Sequence, residues 1–144
     1  MIGHAPRTGW AFYFDPVRGF VYVRMWGLLT VGLFVATKVA LVAHPQFDPD
    51  LAVILDLRQT DLSRLQAHEV EVLAGRTTAF DSPRRALVVN DDQQFDVGRL
   101  YGTERALAGG VEAIKVVYTV PEALEWLGCA RGAIPDSLEG NQLV

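Results

Sequence analysis

Leu51-Ala52-Val53-Ile54-Leu55-Asp56-Leu57-Arg58 is a short, nearly continuous apolar run that ends in two charged residues. A run of that length suits a strand covered on both faces, because a half-exposed strand would alternate apolar and polar positions. A strand covered on both faces implies a parallel sheet with helices around it. Leu51–Arg58 is therefore expected at the centre of such a sheet.

The flanks repeat the pattern. Downstream, Ser63 is expected to cap a helix ending near Ala79. In that helix Leu62, Leu65, Val70, Val72 and Leu73 share one side, while Arg64, His68 and Glu71 face water. Arg84–Asn90 reads as a second buried strand. A helix follows from about Asp96 to Ala108, with Val97, Leu100, Tyr101 and Leu107 inward, and Gly109-Gly110 stops it. Val111–Tyr118 is the last strand. Thr119-Val120-Pro121-Glu122 combines a capping box with proline in the first turn, and opens a helix that runs to Leu127 with Ala123, Leu124 and Leu127 inward.

Upstream, Trp10–Asp15 and Gly19–Met25 read as strands joined by Asp15-Pro16-Val17-Arg18-Gly19. Proline fixes φ and glycine supplies positive φ, so this link is turn chemistry and the pair is a hairpin. Thr30 is placed to cap a helix reaching about Ala43, where His44-Pro45 ends it. The order β-β-α-β-α-β-α-β-α predicts an α/β fold: a mixed β-sheet, made of an N-terminal hairpin plus βαβ units, flanked by about four helices. Residues 1–128 form the expected domain, and 129–144 its C-terminal tail.

Composition narrows the function. The 144 residues are 50% apolar, enough for a core, and the net charge of −4 includes no basic cluster, which argues against nucleic acid. A single cysteine, Cys129, forms no internal disulfide, and no signal-like segment opens the chain, so a cytoplasmic location is expected. Cys129 and the three histidines are scattered, so neither a metal nor a cofactor is expected. The run 28–43 is shorter than the roughly 20 residues a spanning helix needs, and it contains Lys38, so no membrane span is expected. No nucleophile elbow or cysteine–histidine neighbourhood supports catalysis.

Three stretches carry a family resemblance. They are His44-Pro45-Gln46-Phe47-Asp48-Pro49-Asp50 followed by Ile54-Leu55-Asp56-Leu57-Arg58, then Arg85-Ala86-Leu87-Val88-Val89-Asn90-Asp91-Asp92 leading into Phe95–Tyr101, and Pro121-Glu122-Ala123-Leu124-Glu125-Trp126-Leu127. In this order, over roughly Trp10–Leu127, the chain resembles the STAS fold of bacterial anti-sigma-factor antagonists and its STAS/SEC14-like offshoot of small bacterial proteins. The resemblance implies a STAS-like regulatory or interaction module, and, through the lipid-carrier relatives, an apolar ligand as the alternative. Antagonists of this kind carry a phosphorylated serine in an Asp-Ser-x-Gly turn. The matching stretch here, Thr60-Asp61-Leu62-Ser63-Arg64-Leu65, has no glycine after Ser63.

Two places stand out as candidate sites. The carboxyl edge of the parallel strands is where open α/β sheets bind ligands. It would bring together Asp56, Arg58, Asn90, Asp91, Arg99 and Tyr101 as a ligand or partner edge, with an enzyme site at this edge as a less favoured alternative, unless these residues only cap helices and pair with one another. The helix after Thr30 is apolar nearly all round, and a peripheral helix of that kind requires a cover. A homodimer, or another protein partner, through Val31, Phe34, Val35, Lys38 and Leu41 is the favoured reading, with a small apolar ligand as the alternative. Ser63 is a candidate phosphorylation site at a helix start, with a plain cap as the competing role.

Overall fold

The structure is a computed structural model, and it describes residues 7–75, 84–107 and 113–134. Five strands form one sheet in the order β1-β2-β3-β4-β5, with β1 Gly9–Asp15, β2 Phe20–Leu28, β3 Ala52–Asp61, β4 Arg84–Val88 and β5 Ala113–Val117. β1 runs antiparallel to β2, and every later pairing is parallel. The sheet is therefore mixed as expected, and the 51–58 run does supply its middle strand.

The hairpin link folds as its residues dictate. Gly19 adopts φ of 81° and its N–H bonds the Asp15 carbonyl at 2.9 Å, while the Asp15 side chain accepts from the Arg18 N–H at 3.0 Å. Burial alone would raise the Asp15 carboxyl's pKa. The Arg18 backbone N–H and guanidinium outweigh it and hold the carboxyl below its ordinary value.

Helix α1, Val31–Ala43, begins where Thr30 Oγ1 accepts the Leu33 N–H at 3.0 Å. Helix α4, Val120–Trp126, begins at Thr119, whose hydroxyl accepts the Glu122 N–H at 3.2 Å, and Gly128 follows it with φ of 78°. Both caps were expected. Helix α2, Ala67–Gly75, and helix α3, Asp92–Leu107, differ from expectation at their starts. Ser63 does not cap α2. It lies in an exposed turn and donates its N–H to Asp61 at 2.8 Å, while Leu62 is buried and its carbonyl accepts from Leu65. The helix starts three residues later, where the Glu69 carboxylate reaches back to the Gln66 N–H at 3.0 Å. α3 begins four residues ahead of the expected start, and Asp91 caps it by accepting the Gln94 N–H at 2.8 Å.

Two residues read as inward face out: Val72 is 50% exposed and Leu107 77%. Leu107 is the last described residue of α3. Val72 lies between Val70 and Leu73, which take the inward side of the helix. β3 extends past Arg58 to Asp61, β4 ends at Val88 rather than Asn90, and β5 ends at Val117 rather than Tyr118, its expected start at Val111 lying outside the described residues. The helix end near Ala79, the end at Ala108 and the Gly109-Gly110 stop lie outside the described residues.

Each face of the sheet has its own core. Strand order with right-handed crossovers puts α1, α2 and α3 on one side. There Val21, Val23, Met25, Val53, Leu55, Leu57 and Leu87 meet Leu33, Phe34, Leu41, Val70, Leu73 and Tyr101. The alternate strand residues Phe20, Tyr22, Ala52, Ile54, Ala86 and Val88 meet Val120, Ala123, Leu124 and Leu127 of the α4 region on the other side. Ala133 and Ile134, at the start of the segment read as a tail, are buried in this second core, which extends the packed chain past residue 128.

Candidate functional site

β2 and β3 end together, and on the α4 face they carry Tyr22, Arg24, Asp56 and Arg58. The pairing register explains the cluster. Arg24 sits opposite Asp56, but Trp26 sits opposite Gln59, so β3 has one extra residue there. At this bulge Arg58 folds back over Asp56. Its Nε donates to Oδ1 at 2.9 Å, its Nη2 to Oδ2 at 2.8 Å and its backbone N–H to Oδ1 at 3.1 Å. The Tyr22 hydroxyl donates to Oδ2 at 2.6 Å. Asp56 is 2% exposed, and these four bonds fill a carboxylate's acceptor capacity. Burial, and then the adjacent Asp56 charge, pushes the Tyr22 phenol far above its ordinary range. The acceptor positions of Asp56 and the proton of the Tyr22 phenol are thus taken up within the cluster.

The other residues of the expected edge go elsewhere. Asp91 caps α3. The Asn90 N–H donates to Gln94 Oε1 at 2.6 Å, while Gln94 Nε2 donates to the Thr60 carbonyl at 3.1 Å. Buried Gln94 thus ties the α3 start to the β3 end, a role the sequence reading missed although the Asp-x-x-Gln spacing signals it. Arg99 is exposed and lies over the Phe95 ring at 5.9 Å, and Phe95 stacks on Tyr118 at 5.3 Å. Tyr101 points to the opposite side of α3 and is buried under α1, where its hydroxyl accepts from Arg85 Nη1 at 2.6 Å. The structure therefore brings together Asp56 with Arg58, and Asn90 with Asp91 through Gln94. Arg99 and Tyr101 join neither group.

Arg85, 2% exposed, is a second residue the sequence reading missed. Two small cavities adjoin it between the sheet and the helices. One, of about 40 Å³, is lined by Leu57, Leu73, Val97 and Tyr101 among others, and one, of about 20 Å³, by Met25, Thr37 and Leu41 among others. Each has room for about one water molecule. A wider open groove runs between α3 and the edge strand β5.

On α1, Phe34 and Leu41 turn into the chain's own core, Val31 and Val35 pack at its margin, and Lys38 lies over the Phe34 ring at 5.6 Å. The outward side is formed instead by Gly32, Ala36, Val39, Val42 and Ala43, with Val39 64% exposed. Ser63 is exposed, and its hydroxyl and N–H hold the Asp61 carboxyl below its usual value. Among the described residues no cluster of histidine, cysteine, aspartate and glutamate is arranged to hold a metal ion, and no helix is long and apolar enough to cross a membrane.

No family model and no curated protein matches the chain. Among solved structures it is similar to an uncharacterized protein of the DUF3478 family from Shewanella loihica, described as having a SpoIIAA-like fold. The two share 18% identity with a TM-score of 0.55, over 87% of this chain and 98% of that one. With the mixed five-stranded sheet and its four helices, this likeness identifies the architecture: the chain has a SpoIIAA-like, that is STAS-like, fold.

Proposed function

We propose that the protein is a non-enzymatic interaction module that pairs with a second copy of itself through the outward side of α1. The observation that carries the reading is the apolar stripe Gly32, Ala36, Val39 and Ala43, exposed at spacings of four, three and four residues. This is the periodicity of a helix–helix seam, and the stripe contains no charge. Its glycine and alanines would let a partner helix approach closely. A solvated helix face normally carries polar residues, and a self-complementary apolar patch is most simply covered by twofold pairing.

The competing readings have less support. Beneath α1, the two cavities beside Arg85 hold about one water each, too little for a lipid-like ligand there, and the buried Asp56–Arg58–Tyr22 cluster has no acceptor left for acid–base chemistry. A cytoplasmic regulatory role fits the composition and the fold's resemblance to anti-sigma-factor antagonists.

Replacing Val39 with aspartate tests the interface. A charge buried at the seam should weaken pairing on the order of 100-fold while leaving the circular dichroism spectrum of the chain intact. A V39D protein with the same mass distribution as wild type in light scattering would rule out this helix as the contact.

A further inference from the structure

Arg24 stands apart from the cluster beside it. It is 4% exposed, and its Nε and Nη1 atoms are buried with no hydrogen-bond partner among the described residues. Strand alternation places it on the α4 face with Tyr22, opposite Asp56 on one flank and Ala11 on the other. Asp56 cannot serve it, because Arg58 and Tyr22 already occupy that carboxylate. The cluster thus holds two guanidinium groups against one carboxylate, and Arg24 carries the excess charge.

Its guanidinium carbon lies over the Trp26 ring, 5.2 Å from the ring centroid. That ring lies across Gly9, where a Cβ atom would come within 2.7 Å of it. Gly9 therefore allows Trp26 to support Arg24 from one side. An indole face offsets only part of the penalty for burying an isolated cation, so the polar edges of the guanidinium require an acceptor.

We infer that Arg24 anchors a binding site for a small oxyanion, carboxylate or phosphate in type, on the α4 face at the carboxyl ends of β2 and β3. Guanidinium N–H groups match either anion in charge and geometry. The half-buried Trp26 marks the solvent side of the site. This site lies on the opposite face of the sheet from α1, and it stands or falls independently of self-association.

Thermal unfolding and NMR of the full chain, titrated with inorganic phosphate or with acetate against chloride at constant ionic strength, test the site. Binding at about ten times the dissociation constant should raise the wild-type Tm by roughly 4 °C in a saturable way, and shift the Arg24 Nε–H resonance with the same midpoint. R24M should show no such rise. A response to phosphate alone assigns a phosphate-type ligand, and a response to acetate a carboxylate; either supports the site. An unmoved Nε–H resonance with both anions, or an equal rise of Tm in R24M, would overturn it. Should R24M fail to fold, the wild-type resonance alone decides.

Discussion

At the scale of single residues, the most consequential bond is the one from the Tyr22 hydroxyl to buried Asp56. Removing it leaves a buried carboxylate oxygen one donor short. Y22F is expected to destabilise the fold by about 1–3 kcal/mol, seen as a lower urea midpoint with an unchanged m-value. Asp15 makes a pH-dependent contribution. Its carboxyl titrates lower in the folded chain than in the unfolded one, so its stabilisation is present above the unfolded value of 3.8 and is lost as pH falls through the folded one. D15N should therefore unfold at a lower urea concentration than wild type at pH 7, and the two midpoints should converge below about pH 3. A constant gap across that range would remove the charge from the explanation. The residues behind these effects were only partly legible. Asp56 and Arg58 are visible as the charged end of an apolar run. Arg24 reads as one position in an alternating strand, because its burial depends on what the rest of the chain folds over it.

At the scale of elements, helix starts show what local sequence can and cannot specify. Thr30 and Thr119 each precede an apolar periodic segment, and each does cap its helix. Ser63 precedes one too, but burial of Leu62 takes the chain through a turn first, and the cap passes to Gln66 with Glu69. For α3 the signal was present in Asp91-x-x-Gln94, yet an adjacent acid pair looks equally like a loop. A paired substitution separates the two cases. T30A should cost about 1 kcal/mol, whereas S63A should be within about 0.5 kcal/mol of wild type, both measured by chemical denaturation. Equal losses would return a capping role to Ser63. Ser63 is exposed, but no glycine follows it in the turn.

At the scale of the whole molecule, the layer arrangement was legible because it follows from element order: a hairpin, then repeated α–β alternation, gives a mixed sheet with β3 central. The convergence of the carboxyl edge was not, since neighbouring positions on α3 face different sides and the β3 bulge redirects Arg58 onto Asp56. The all-apolar character of α1 was visible in the sequence, but only the packed chain distinguishes the side that Phe34 and Leu41 bury from the side that Gly32, Ala36, Val39 and Ala43 expose. Pairing through that exposed side is the central claim. Sedimentation equilibrium of the wild-type chain over a concentration series up to tens of micromolar tests it most directly. The predicted result is a mass approaching twice that of the chain, falling toward one chain mass on dilution. A mass of one chain at every concentration would contradict it.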